Sequence, residues 1–170
     1  MENIHILDNF LEKEELEIVV QKIKTKRWEF GHTSVENTSP FWSFNLMDDD
    51  FFTFNIKRVI EKTFSKNLML DRVYSNGQTY GQDGRFHTDS EKPNTMTACL
   101  YINNLLPEEM INAGGHYVVK IPEQKYYLSV EPINNRLVFF PSGYLHRGMS
   151  FNRHIDELRV CIAWKFTVVE

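Results

Sequence analysis

Residues 158–168 read Leu-Arg-Val-Cys-Ile-Ala-Trp-Lys-Phe-Thr-Val, and their alternation decides the fold. The even positions Leu158, Val160, Ile162, Trp164, Phe166 and Val168 are apolar, while the odd positions carry Arg159, Cys161, Ala163, Lys165 and Thr167. Side chains alternate across a strand, so this strand has one packing face and one small, mixed face. Residues 95–103 repeat the arrangement. Met96, Ala98, Leu100 and Ile102 fall on one face, and Thr95, Thr97, Cys99, Tyr101 and Asn103 on the other. Solvent-facing rows seldom combine Cys, Ala and Thr with one Arg or Tyr. Small residues plus a polar anchor fit the lining of a ligand cavity.

Working outward, short β-like runs at 69–74, 77–80, 85–89, 116–121, 126–130, 136–140 and 145–151 accompany those two strands. Turn signals separate them, among them Asn76-Gly77, Asp83-Gly84, Ala113-Gly114-Gly115 and Ser142-Gly143. Many short strands at this spacing predict a sandwich or barrel. The N-terminal third is helical in pattern. Leu16, Val19, Val20 and Ile23 define a helix from about Glu12 to Lys26, and Phe52, Ile56, Val59, Ile60 and Phe64 define a second after Asp48-Asp49-Asp50. Both stripes read as packing surfaces that cover one sheet.

The chain has 170 residues, 42% hydrophobic and 14% aromatic, which suits one domain and excludes a disordered tail. We read residues 1–170 as a single domain, with 1–68 as helical support and 69–170 as the barrel core. A net charge of −4 argues against holding nucleic acid by bulk charge. No apolar run approaches the ~20 residues that span a bilayer. The start Met-Glu-Asn-Ile-His-Ile lacks the basic and apolar regions of a signal peptide, and Cys99 and Cys161 sit in apolar runs as buried free thiols. The chain therefore reads as cytoplasmic, with no membrane partner.

The sharpest chemical signal is His87-Thr88-Asp89. Residues i and i+2 of an extended segment share a face, so an imidazole and a carboxylate converge there. His146, 57 residues after Asp89 and just past the turn Pro141-Ser142-Gly143, is the strongest third ligand. Two His and one carboxylate make the facial triad of non-haem Fe(II) sites. His116, after Gly114-Gly115, competes with His146 but reads as a strand or rim residue. His5, His32 and His154 show no partner pattern and read as solvated, and Asp83 reads as a turn residue. Arg147 and Arg153 are placed at a pocket mouth or in solvent, and Trp42 and Tyr144 at the rim or in the core.

From Val73 to Phe166 the sequence resembles the 2-oxoglutarate- and Fe(II)-dependent oxygenases, especially their prolyl 4-hydroxylase-like branch. The resemblance rests on Thr79-Tyr80-Gly81, His87-Thr88-Asp89, Leu100-Tyr101-Ile102-Asn103, Gly114-Gly115, Phe139-Phe140-Pro141, His146 and Arg159 through Trp164. It implies a double-stranded β-helix, a jelly-roll or cupin-like barrel that is mainly β and buttressed by N-terminal helices. It also implies that His87, Asp89 and His146 bind iron and that Arg159 pairs with the distal carboxylate of 2-oxoglutarate. Tyr101 would donate its hydroxyl to that carboxylate and Tyr80 would lie near the co-substrate. Thr97, Cys99, Cys161 and Ala163 would line the same pocket. A guanidinium is the fork that matches a carboxylate.

The implied reaction is hydroxylation of a C–H bond with release of succinate and CO2, using Fe(II), 2-oxoglutarate and O2, with ascorbate as reductant. A proline-containing protein or peptide is the preferred substrate. Oxidative dealkylation of nucleic acid and hydroxylation of a free amino acid or small metabolite are the alternatives. Dealkylases of this type carry a second Arg six residues after the co-substrate Arg, where this chain has Lys165. A non-catalytic binding module fits least, because every iron and co-substrate position is intact. The segment 105–112 reads either as an ordinary strand connection or as a mobile lid.

Overall fold

The structure is a computed structural model that describes residues 4–36 and 38–169. Its strands are β1 (His5–Leu7), β2 (Glu29–His32), β3 (Phe41–Asn45), β4 (Asn67–Gln78), β5 (Thr95–Ile102), β6 (Tyr117–Lys120), β7 (Tyr127–Val130), β8 (Leu137–Pro141), β9 (His146–Gly148) and β10 (Arg159–Val169). The helices are α1 (Lys13–Thr25), α2 (Lys57–Phe64) and α3 (Pro107–Ala113). A π-helical turn, Phe51–Ile56, leads directly into α2.

The strands form two antiparallel sheets in the orders β1-β8-β5-β10-β4-β3-β2 and β7-β6-β9. They pack face to face as a double-stranded β-helix, the jelly-roll barrel, with α1 and α2 on the outside of the larger sheet. The two faces of β5 and β10 divide as their alternation predicts. Met96, Leu100, Ile162, Trp164 and Phe166 pack against Val19, Ile23, Phe52, Ile56 and Ile60 of the helical layer. Cys99, Tyr101, Cys161 and Ala163 face the smaller sheet, beside Tyr117, Val119 and Phe140. Trp164 donates its indole N–H to the Phe52 carbonyl at 3.0 Å, so the largest core side chain also satisfies its polar atom.

Several expectations change. Residues 69–74 and 77–80 are one strand rather than two, because Asn76-Gly77 continues in register against β10 and β3. Gly77 serves close packing there: a Cβ would lie 2.6 Å from Leu158 and 2.8 Å from Trp28. Residues 85–89 form only an isolated bridge, His87 with His146. The segment 105–112 is mostly the short helix α3, not a loop. Pro107 opens it, Glu109 accepts the Leu106 N–H at 2.8 Å, and Met110 and Ala113 pack on Phe151. The first third supplies three strands of the large sheet as well as its two helices.

One irregularity matters for the site. Pairing between β10 and β4 runs Lys165 to Arg72 and then Phe166 to Leu70, so Asp71 is an extra residue on β4. The bulge reverses the strand's parity. Leu68 and Leu70 pack in the helical layer, whereas Arg72, Tyr74, Asn76 and Gln78 line the cavity.

Candidate active site

Between the sheets lies a cavity of about 240 Å³. His87, Asp89 and His146 converge on it, with their ligand atoms all within 4.8 Å of one another. Backbone pairing sets the two imidazoles: each of His87 and His146 donates its N–H to the other's carbonyl at 2.9 Å. The Asp89 N–H is held by the Ser142 carbonyl at 2.9 Å. His87 Nδ1 lies 2.9 Å from the Arg85 carbonyl and His146 Nδ1 lies 2.7 Å from the Tyr144 carbonyl. A carbonyl only accepts, so both rings carry a proton on Nδ1 and turn Nε2 inward. The Nε2 atoms stand 3.6 Å from Asp89 Oδ1 and 3.4 Å from Asp89 Oδ2, respectively.

Electrostatics keep these groups ready for a cation. Burial pushes the His146 imidazole down to about 4, against the pull of Asp89 and with help from Lys165 and His87, so it is neutral near pH 7. Burial alone would raise the Asp89 carboxyl, but Lys165 beside it, with His87 and His146, holds it far below the usual carboxylate range. Asp89 Oδ2 accepts from Lys165 and, at 2.7 Å, from the Thr97 hydroxyl. Two imidazoles held through Nδ1 and one carboxylate are a donor set that could hold an Fe(II)-type ion.

Deeper along β10, Arg159 is 3% exposed and lies 5.2 Å from the Tyr101 ring centroid. Its Nε donates to the Gly115 carbonyl at 2.6 Å and its Nη1 to Gln78 Oε1 at 2.9 Å. These bonds fix the guanidinium and leave Nη2 without a protein acceptor among the described residues. The hydroxyls of Tyr101 and Tyr117 are also buried without a hydrogen-bond partner. Orphaned buried donors cost roughly 1–3 kcal/mol each, so their clustering beside Arg159 marks a place for an acceptor such as a carboxylate. Gly115 permits the arrangement: its φ is +71° and a Cβ would meet the Phe151 ring at 2.5 Å.

Most residues singled out in the sequence come together here. Cys99, Cys161 and Ala163 line the cavity with Tyr101 and Arg159. Thr97 is fully buried and supports Asp89 rather than lining the cavity. Tyr80 does not join: it is 66% exposed, because β4 ends at Gln78 and a turn follows, so Gln78 takes the position beside Arg159. His32 is not solvated as expected but lines the cavity, its ring 5.1 Å from Phe41 and 5.9 Å from Tyr74. His116 lies away from the cavity, with Ile6 and Arg136. Arg147 stacks on Phe86 at 4.8 Å, outside the cavity lining. Asp83 ties its segment to a distant one rather than serving a local turn, accepting from the Ser150 backbone and hydroxyl. Gln78, Tyr117 and Arg72 escaped sequence reading. Lys165 was legible, since it shares the odd row of β10 with Arg159.

A jelly roll with a His–Asp–His cluster and a fixed arginine in its cavity defines the non-haem oxygenase class of barrels. The chain belongs to the 2OG-Fe(II) oxygenase superfamily, whose sequence profile matches residues 72–165, more than half of its length. It is thus a 2-oxoglutarate-dependent Fe(II) oxygenase, and the family uses Fe(II), 2-oxoglutarate and O2. No curated protein sequence matches it significantly. Among solved structures it is similar to a Trichoplax adhaerens prolyl hydroxylase in complex with a hypoxia inducible factor oxygen degradation domain peptide fragment. That match has TM-score 0.73 and 15% identity over 96% of this chain and 83% of the other. A Pseudomonas putida prolyl-4-hydroxylase matches with TM-score 0.73 and 15% identity over 98% and 93% of the two chains. The non-heme alpha ketoglutarate dependent epimerase SnoN from nogalamycin biosynthesis matches at TM-score 0.70 and 11% identity over 96% and 77%. At such identities the likeness is one of fold.

Proposed function

We propose that this chain is a hydroxylase in which His87, Asp89 and His146 hold Fe(II), with Arg159 and Tyr101 binding the distal carboxylate of 2-oxoglutarate. The observation that carries the reading is the placement of three metal-type donors, the fixed Arg159 guanidinium and two unsatisfied buried hydroxyls (Tyr101 and Tyr117) in one cavity. Bound iron supplies oxidative decarboxylation of 2-oxoglutarate to succinate and CO2, coupled to attack on a substrate C–H bond. The protein's own part is orientation. Nδ1 bonds fix the imidazoles, Thr97 and Lys165 fix the carboxylate, and Gly115 and Gln78 fix the guanidinium. Cys99, Cys161 and Ala163 form a small, apolar floor that leaves room for a five-carbon diacid and excludes water around it.

For the substrate we favour proline in a peptide or protein, supported by the prolyl hydroxylases among the similar folds. Hydroxylation of a small metabolite is the second reading, favoured by the modest cavity and by the likeness to an epimerase of a biosynthetic pathway. Ascorbate would serve as reductant. The two free thiols suit a reducing, cytoplasmic setting, and no described helix is long and apolar enough to cross a membrane. Anaerobic addition of Fe(II) and 2-oxoglutarate should produce the weak visible charge-transfer band of the chelate, and His146→Ala should abolish it. No band in the wild type would refute the iron reading. Succinate release with proline-rich peptides, free amino acids and methylated oligonucleotides in parallel then sorts the substrate, and stimulation by oligonucleotides alone would overturn the peptide choice.

A further inference from the structure

Positive charge in the cavity is left over after iron and co-substrate are accounted for. Among the described residues Asp89 is the only carboxylate lining it, against the three cations Arg72, Arg159 and Lys165. Fe(II) and the 2-oxoglutarate dianion cancel one another. The loaded cavity would therefore keep an excess of two positive charges, in a chain whose net charge is −4. Arg159 is committed to Gly115, Gln78 and the co-substrate. The surplus resides in Arg72 and Lys165.

These two residues are direct cross-strand partners on β4 and β10, at the end of an unbroken register that begins with Gln78 and Arg159. Like charges directly opposite one another destabilise a sheet. Both flank one ring, with the Arg72 guanidinium 4.5 Å and Lys165 Nζ 5.8 Å from the Tyr74 centroid. Arg72 is exposed at the cavity mouth and has no carboxylate partner among the described residues. Lys165 is paired with Asp89, but an ammonium has three donors, so two of its N–H bonds are unspent. Lys165 also cannot serve the carboxylate held by Arg159, since six residues of strand separate them by about 20 Å.

We propose that the substrate carries an anionic group, a carboxylate or a phosphate, which docks between Arg72 and Lys165 beside Tyr74. Resting on the iron and 2-oxoglutarate reading, this names the substrate's chemistry: the C–H bond attacked lies within a short reach of a negative charge. In a peptide this is an acidic side chain or a free C-terminus next to the target residue; in a metabolite it is the acid itself. A guanidinium offers a planar fork to such a group and the ammonium a point charge.

The test uses the full chain loaded with Mn(II) and saturating 2-oxoglutarate. Acetate and inorganic phosphate are titrated in, and their binding is read from the relaxation of 13C and 31P by the metal. Saturable binding is expected, and its preference between the two probes separates carboxylate from phosphate. Arg72→Gln should weaken it about tenfold or more and Arg72→Lys should restore most of it. Arg72 is exposed, so its variants keep the fold, which circular dichroism checks. In succinate release, peptides with Asp or Glu beside proline should exceed their Asn or Gln counterparts by a similar factor, and free amino acids should exceed their amides. Equal binding by wild type and Arg72→Gln, or no binding of either probe, overturns the inference. Absence of the anaerobic charge-transfer band would instead remove the iron reading beneath it.

Discussion

Tyr101→Phe should move stability and co-substrate affinity in opposite directions. The Tyr101 side chain is 1% exposed, and its hydroxyl has no hydrogen-bond partner among the described residues. A buried unsatisfied hydroxyl costs roughly 1–3 kcal/mol, so deleting one oxygen from a ring that otherwise keeps its contacts should stabilise the ligand-free protein by about 1 kcal/mol. For a chain of this size that corresponds to an increase of about 2–4 °C in Tm. The same hydroxyl is assigned to the distal carboxylate of 2-oxoglutarate. Losing that charge-assisted bond should cost about 1.5 kcal/mol, or roughly a tenfold rise in Kd. Urea unfolding without 2-oxoglutarate gives the first quantity, and anaerobic titration of the charge-transfer band gives the second. A destabilised variant with unchanged 2-oxoglutarate affinity would refute the reasoning, because it would make the hydroxyl a structural group.

Other perturbations reach different layers. Gly115→Ala places a Cβ against Phe151 at a φ of +71° and displaces the carbonyl that holds Arg159, so we expect a Tm loss together with loss of the 2-oxoglutarate band. Trp164→Ala should cost about 3–5 kcal/mol in urea unfolding by opening a cavity between β10 and the helical layer and orphaning the Phe52 carbonyl. Asp49 ties α1 to the π-helical turn through Lys22 and Lys26. Burial would raise its carboxyl, yet its bonds to Lys22 and to the Phe51 N–H hold it below the ordinary value. That stabilisation is present above the unfolded carboxylate pKa and is lost as pH falls through the lower folded one. Asp49→Asn should therefore cost roughly 1–2 kcal/mol at pH 7 and progressively less as the pH falls below the ordinary carboxylate value, as read by Tm across that range. Equal losses across the range would argue that the carboxylate's charge is not what Asp49 contributes.

Alternation in two strands was enough to orient the barrel. The even rows of β5 and β10 are large and apolar, and the odd rows are small with Arg159 and Tyr101 as anchors, so the sequence separated core from cavity. The triad was legible for a related reason. His87 and Asp89 share a face by spacing alone, and a histidine beyond a tight turn is a natural third donor.

What stayed hidden depends on contacts between distant segments. Tyr80 kept the parity of the cavity-facing residues but lay past the end of its strand, and sequence does not show where pairing stops. The bulge at Asp71 reverses the parity of β4, and only the partner strand reveals it; beyond it Leu70 and Leu68 turn to the helical layer. Gln78 and Tyr117 carry no spacing signal, because their importance comes from what Arg159 touches across the barrel. Periodicity, a property of one strand, thus marked a sandwich or barrel and the shared face of His87 and Asp89. Charge balance inside the cavity, a property of several strands at once, was decided only when the sheets closed on one another.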